Sequence, residues 1–127
     1  MRFMMLVIPK GYAQADKGAL PSVELVAKMS KYNDALRKAG TLLALDGLHP
    51  QATGSRVSFS AGRGSVTDGP FAEAKEAIGG YWMIQVKSKE EAVEWATRAP
   101  MQDGDVIEVR QVQEMSDFPP EIQKAAR

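Results

Sequence analysis

The chain contains no cysteine among its 127 residues. Without thiols it has no disulfide framework, no thiolate metal site and no cysteine nucleophile. It also lacks an excess of charge of either sign, because 16 basic side chains balance 16 acidic ones. A nucleic-acid-binding domain usually carries a clear basic excess, so we expect no nucleic-acid partner. The length suits one domain with its own hydrophobic core, spanning residues 1–127.

Long hydrophobic runs are missing as well. The most apolar stretch, residues 1–9, is far shorter than the roughly 20 residues of a membrane span, and Pro9 ends it. The stretch has no signal-peptide cleavage pattern. We therefore expect a buried first strand here, no membrane partner and a cytoplasmic protein.

Histidine occurs once, at His49. A lone imidazole cannot form a multi-histidine metal site, and we expect neither a metal nor a cofactor. Histidine is the commonest general acid or base, since it titrates near neutrality. His49 is therefore a candidate proton shuttle. The alternative is a loop residue that caps backbone groups beside Pro50.

Hydrophobic periodicity predicts the secondary structure. Residues 4–8 are continuously apolar, which is typical of a strand covered on both faces. Residues 22–39 carry apolar side chains at helical spacing and end at Gly40, where a helix C-cap belongs. Residues 56–61 alternate between apolar and polar, which predicts a half-buried strand. The other predicted elements are strands at 41–45, 81–86 and 106–112, a short pairing segment at 65–67, a helix from the Ser88 capping box to Pro100, and a C-terminal arm from about residue 114 with one helical turn.

This order indicates an α+β protein of the ferredoxin-like type, β-α-β-β-α-β, with an extra short hairpin strand. Two helices would cover one face of an antiparallel sheet. Residues 4–8 and 81–86 are apolar on both faces, so they are predicted to be the central strands. Their second apolar face predicts contact with another copy of the chain, giving a dimeric α/β barrel.

The densest cluster of functional side chains is residues 67–76, Thr-Asp-Gly-Pro-Phe-Ala-Glu-Ala-Lys-Glu. Asp-Gly-Pro predicts a tight turn in which Gly69 takes positive φ and Pro70 has a locked φ. Asp68 would cap this turn or, as a catalytic candidate, orient His49 or take a proton from the substrate. Phe71 either packs in the hydrophobic core or contacts a ligand. The ligand-binding candidates are Tyr32, Phe71, Glu73, Lys75 and Glu76, of which the last three are otherwise a solvated face.

The run at 67–76 resembles the DGPF-motif branch of the YCII-related family of small bacterial proteins. Further similarity lies at residues 31–34, 47–50, 80–82 and 108–110. The resemblance implies a ferredoxin-like fold that dimerises into a barrel, and a polar cleft at the motif. Enzyme-like members carry a histidine on the first helix paired with an aspartate, and this chain has Tyr32 and Asn33 in that region.

Two functional interpretations follow. The first is a homodimer that binds a small polar metabolite near His49 and Asp68 and performs cofactor-free acid/base chemistry on it. The second is a non-catalytic interaction or regulatory module that uses surfaces such as residues 118–120. The resemblance implies a sigma-factor-related partner for it, because relatives often occur fused or adjacent to extracytoplasmic-function sigma factors. A purely structural motif with no ligand is a third possibility.

Overall fold

The computed structural model describes residues 1–126. Within them the chain forms six strands and three α-helices, joined in part by short 3-10 turns. The strands are β1 (Arg2–Ile8), β2 (Leu42–Gly47), β3 (Ser55–Ser60), β4 (Arg63–Asp68), β5 (Gly80–Gln85) and β6 (Val106–Gln111). The helices are α1 (Val23–Lys38), α2 (Lys89–Thr97) and α3 (Pro120–Ala125), and the 3-10 turns are Tyr12–Gln14, Gln51–Thr53 and Met115–Asp117.

Four strands form the main sheet, in the order β2-β5-β1-β6, with every neighbour antiparallel. The predicted central position of the first strand and of the strand at 81–86 is confirmed. Leaving aside the β3–β4 hairpin, the chain order through α2 and β6 is β-α-β-β-α-β. The α+β class with antiparallel sheets is therefore confirmed, and the arrangement is consistent with a ferredoxin-like fold.

The core lies between one face of this sheet and helices α1 and α2. Alternate residues of the central strands point to this face, as the period of two requires. Ser22 and Ser88 start the two helices by accepting the amides of Leu25 and Glu91 at 3.1 and 3.2 Å. The buried cluster consists of Phe3, Met5, Val7, Tyr32, Leu36, Trp82, Ile84, Val86, Ala92 and Trp95.

The opposite face of the sheet is also apolar at its centre. We call it the sheet patch, and it consists of Met4, Leu6, Ile8 and Met83, which alternate with the buried residues of β1 and β5. These side chains are only half-buried and do not belong to the core cluster. One face of the sheet is thus covered by helices, and the other keeps apolar side chains in partial contact with solvent.

Strands β3 and β4 form a separate two-stranded sheet. The prediction of a half-buried strand at 56–61 is wrong, because every residue of both strands is exposed. The strand also stops earlier, since Ala61 and Gly62 have φ values of 51° and 79° and form the hairpin turn. The alternating pattern is real, but residues 1–126 contain nothing that covers its apolar side.

The C-terminal arm begins with a fixed contact to the sheet. The guanidinium of Arg2 donates to both carboxylate oxygens of Glu114, at 2.6 and 2.9 Å. The 3-10 turn follows, and α3 then extends the single helical turn that was predicted for this arm.

Candidate functional site

The turn at Asp68-Gly69-Pro70 lies against the loop that follows His49. The amide of Gly69 donates to the carbonyl of Gly54 at 2.8 Å, and the Gly69–Pro70 peptide bond is cis. The prediction of positive φ at Gly69 is wrong, because Gly69 is not among the glycines with positive φ. The backbone carbonyl of Gln51 occupies the place that a side chain at Gly69 would take, so glycine is required for space instead.

Asp68 forms its side-chain hydrogen bond within the hairpin. The Ser55 hydroxyl donates to Oδ1 of Asp68 at 2.6 Å, and these two residues are the pair at the open end of the hairpin. His49 is exposed, as is Asp68. Among the hydrogen bonds of residues 1–126, none joins the two catalytic candidates. Within residues 1–126 the Asp68 side chain therefore joins the two strands of the hairpin, and it makes neither the predicted cap on the turn nor a hydrogen bond to His49.

Hydrogen bonds and packing of the residues next to His49 hold the loop that carries it. The Tyr12 hydroxyl donates to the carbonyl of Leu48, and the Leu48 amide donates to the carbonyl of Gly79 at 2.8 Å. Pro50 is fully buried. These contacts fix the backbone on both sides of His49 and leave its imidazole in solvent.

Phe71 supports the base of the hairpin. The Arg56 guanidinium carbon lies 4.0 Å from the centroid of the half-buried Phe71 ring, which is a cation–π contact. The segment that follows Pro70 is a turn, so it forms no helix over 71–76. The three charged candidates there, Glu73, Lys75 and Glu76, are exposed.

Tyr32 lies in the core. Its hydroxyl donates to the carbonyl of Trp95 at 2.6 Å, and its ring meets those of Trp82 and Trp95 edge-on at centroid distances of 5.1 and 6.2 Å. Burial raises the pKa of Tyr32 to about 12. These contacts give Tyr32 a packing role and leave it little surface for a ligand.

A cavity of about 240 Å³ opens between α1 and the neighbouring ends of β2 and β5. We call it the Asn33 cavity. Apolar side chains and glycine backbone form most of its wall, which is typical of small-molecule sites. Its lining is Val7, Met29, Asn33, Leu45, Asp46, Gly47, Gly79, Gly80, Tyr81 and Trp82. Neither His49 nor Asp68 belongs to it.

Asn33 is the polar helix residue of this cavity, and its amide is oriented. The Trp82 indole donates from Nε1 to Oδ1 of Asn33 at 2.7 Å. Because the indole is a donor only, the amide oxygen must face it and the two N–H groups face away. In the described part of the chain these N–H groups have no acceptor. They are available to an acceptor on a ligand.

The model of the YCII-related domain matches residues 1–116 of this chain. The chain belongs to the YCII-related family. It is also 37% identical over 73 residues to the uncharacterized protein R00369 of Rhizobium meliloti (strain 1021). The match covers 58% of this chain and 56% of that protein, so the chain spans about half the length of this relative. Among residues 1–126, no helix is both long and apolar enough to cross a membrane.

In this YCII-related domain two residues of the cavity lining, Asp46 and Tyr81, carry their titratable side chains on the opposite, helix-free face of the sheet. They face each other across β2 and β5, and the Tyr81 hydroxyl donates to Oδ2 of Asp46 at 2.7 Å. This hydrogen bond raises the pKa of Tyr81 above its ordinary value. The pair therefore lies beside the sheet patch and does not face the interior of the Asn33 cavity. Sequence reasoning did not single out either residue, although Asp46 directly precedes the Gly47 to Pro50 segment.

Proposed function

We propose that this YCII-related protein is a homodimer that binds a small molecule in the Asn33 cavity. The observation that carries this proposal is the orientation of the Asn33 amide. Its oxygen is occupied by Trp82, while its two donors remain free in an otherwise mainly apolar wall. Such an arrangement has an apolar body and a few positioned polar groups, which is how small-molecule sites achieve specificity.

The cavity indicates the class of ligand. At about 240 Å³ it is smaller than sites that hold drug-sized ligands, which begin at roughly 300 Å³. The free donors of Asn33 require an acceptor, so a carbonyl, amide or carboxylate oxygen suits that end. The remaining wall suits a short apolar body. We therefore propose a small metabolite with one carbonyl or carboxyl group.

Cofactor-free acid/base chemistry is a further part of the proposal. The hydrogen-bonded side chains of Asp46 and Tyr81 lie on the helix-free face of the sheet, in register with Leu6, so they would act on a ligand at that face and not inside the cavity. His49 and Asp68 lie outside the lining, so acid/base chemistry by that pair would need a different ligand position. The geometry therefore supports binding in the Asn33 cavity more directly than catalysis by His49 and Asp68.

We propose that the two subunits of the homodimer contact each other through the sheet patch. Met4, Leu6, Ile8 and Met83 are half-buried on the face opposite the helices. Two such faces packed against each other would form the α/β barrel expected of this fold, and each would remove the other's apolar side chains from water.

Fluorescence of Trp82 tests the ligand site. The chain has two tryptophans, so Trp95→Phe leaves Trp82, which lines the cavity, as the single reporter. We would screen short-chain ketones, amides and carboxylates for saturable quenching in this variant and for thermal stabilisation of the unmodified protein. We expect at least one chemical class to produce both effects.

A variant in which the Asn33 cavity is blocked serves as the control. A β-carbon at Gly47 would have the Gly79 carbonyl oxygen as its nearest neighbour at 4.0 Å, so Gly47→Leu adds its bulk to the cavity wall without a backbone clash. Gly18→Leu adds the same side chain in open space. We expect at least tenfold weaker binding in the first variant and unchanged binding in the second. Equal binding in both would place the ligand elsewhere, and a screen with no binder would favour the interaction module with a sigma-factor-related partner.

A further inference from the structure

Strand β6 is an outer strand of the main sheet, and its backbone is paired on one side only. The Val112 amide donates to the Arg2 carbonyl at 2.9 Å, which makes these two residues a hydrogen-bonded pair of the antiparallel ladder between β1 and β6. Hydrogen-bonded pairs alternate along such a ladder, so the even-numbered residues of β6 direct their backbone groups towards β1. The N–H and C=O groups of Ile107 and Val109 therefore point to the open edge.

A groove of about 550 Å³ lies beside this edge, between β6 and α2. Ile107 and Val109 are in register with the buried Val7 and Met5 of β1, so their side chains lie on the helix-covered face and form part of the groove wall. Val93 of α2 and further apolar side chains complete most of the wall. A strand that hydrogen-bonds to Ile107 and Val109 in antiparallel fashion would place its opposed side chains over this groove.

The other outer strand, β2, is a less suitable edge for a further strand. Its register with β5 shifts between Leu42 and Ala44, whereas the register of β6 with β1 is continuous from Val106 to Gln111. Bulges, lysines and prolines are the usual means of keeping an edge from pairing, and Val106–Gln111 contains none of them. Of the two edges of the main sheet, β6 is therefore the one open to pairing.

The β3–β4 hairpin presents an edge with the same alternation. The Gly69 amide donates to the Gly54 carbonyl at 2.8 Å, so the even-numbered residues of β3 direct their backbone groups towards β4. The backbone groups that remain free on β3 include those of Val57 and Phe59. Their side chains share one face of the hairpin and are 53% and 78% exposed. The residues with a free backbone are thus also those with uncovered apolar side chains.

We propose that the free edge of β3 pairs in antiparallel fashion with the free edge of β6 in a second copy of the chain. We call this the edge contact. In an antiparallel ladder the two residues of a hydrogen-bonded pair carry their side chains on the same face. Backbone pairing between the two edges therefore places Val57 and Phe59 on the face of Ile107 and Val109, over the groove. Parallel pairing would place them on the opposite face.

The hairpin fits this edge in further respects. β3 and β6 are both six residues long. An isolated two-stranded hairpin is at best marginally stable in water, and a third strand with an apolar contact is what such a hairpin lacks. The even-numbered residues of β3 already bond to β4, so pairing through this edge cannot turn the polar face with Arg56 and Ser58 towards the groove. These features identify the hairpin of a second copy as the occupant.

The edge contact rests on the proposed homodimer for its partner, but it uses β6 and the groove instead of the sheet patch. The hairpin follows β2 in the chain, and β2 and β6 are opposite edges of the main sheet. When two such sheets stack about a two-fold axis that runs along the strands, β2 of one subunit lies over β6 of its partner. Each subunit then gives one hairpin and receives one. The edge contact thus selects this direction of the axis over one that runs across the strands.

Engineered disulfides test the edge contact directly, because the chain has no cysteine of its own. Val57→Cys is combined with Ile107→Cys in one variant and with Val109→Cys in another. These two pairs cover both registers that keep Val57 and Phe59 over the groove, and the Cα spacing of opposed strand residues lies within the reach of a disulfide. We expect one of the two variants to form at least tenfold more covalent dimer on mild oxidation than the control, Val57→Cys with Leu43→Cys on the β2 edge.

A charge in the groove gives a second measurement. Val93 and Val26 are exposed to similar extents, 40% and 50%, so the same substitution at either position leaves the core intact. Val93→Glu places a carboxylate where the hairpin side chains would remove it from water. We expect the dimer dissociation constant, measured by sedimentation, to rise at least tenfold in Val93→Glu and to stay unchanged in Val26→Glu.

The results distinguish the edge contact from the homodimer itself. If the unmodified protein sediments as a monomer at micromolar concentration, both are overturned. If it is a dimer and neither cysteine pair exceeds the control, the edge contact is overturned and the sheet-face homodimer stands. An excess of covalent dimer in one cysteine pair, together with weaker dimerisation of Val93→Glu, supports the edge contact.

Discussion

Gly69 lies directly against the backbone of Gln51. An ideal β-carbon built on Gly69 would be 1.8 Å from the carbonyl oxygen of Gln51 and 2.7 Å from its carbonyl carbon. No side chain fits in that space. The motif turn and the loop after His49 are therefore packed as one unit, which supports the hairpin base on one side and the Pro50 loop on the other.

Replacing Gly69 with alanine should destabilise the fold. The added methyl group meets backbone, which yields less easily than a side chain, so we expect a loss of about 1–3 kcal/mol in the free energy of unfolding. Urea denaturation measures it. Gly18→Ala is the control, because a β-carbon at Gly18 has no neighbour within 4 Å. Equal stability of the two variants would contradict the close approach.

Replacing Tyr32 with phenylalanine should also weaken the fold, for a different reason. The ring and its edge-on contacts remain, but the carbonyl of Trp95 loses its 2.6 Å hydrogen bond. We expect a loss of about 0.5–1.5 kcal/mol by chemical denaturation at neutral pH. No loss would show that water replaces the hydroxyl at that carbonyl.

Tyr32 should also contribute to alkaline unfolding. Burial raises its pKa from 10.0 to about 12, so its contribution to stability is complete below pH 10 and disappears as the pH rises through about 12. The difference in stability between the unmodified protein and Tyr32→Phe should therefore shrink across this interval. Denaturation curves at intervals between pH 9 and pH 12 measure it, and a constant difference would contradict the burial of a neutral Tyr32.

The C-terminal arm should loosen in acid. The hydrogen bonds from Arg2 hold the pKa of Glu114 below its ordinary value. A lowered pKa means that the stabilisation is present above the unfolded pKa of 4.5 and is lost as the pH falls through the folded value. The protection of the amides in residues 115–125, taken relative to their intrinsic exchange rate at each pH, should fall in that range, while Glu114→Gln should already show low protection at neutral pH. Protection that stays high in Glu114→Gln would show that other contacts hold the arm.

The hydrogen bond between Ser55 and Asp68 should stabilise the hairpin. Asp68→Asn and Ser55→Ala should each speed amide exchange in β3 and β4, and the double variant should add little to either single change, because both remove the same contact. Additive effects would mean that Asp68 acts through another partner. In that case His49 would again become the candidate to examine.

Local patterns in the sequence determined the elements of this fold and their order. Period-two and period-3.6 spacing located the strands and the two long helices, and the apolar character of residues 4–8 and 81–86 identified the central strands. Serines at positions 22 and 88 marked the helix starts. These features depend on residues close together in the chain, so the chain order alone reveals them.

Only the tertiary structure decided the surroundings of the functional side chains. Asn33 and Trp82 are 49 residues apart, and their hydrogen bond exists because α1 packs over β5. The same holds for the carbonyl of Gln51 that excludes a side chain at Gly69, and for the hairpin, whose alternating pattern predicted burial although residues 1–126 do not cover it. Periodicity reports which face of a strand is apolar, whereas what lies against that face is set by segments distant in sequence or by a second chain.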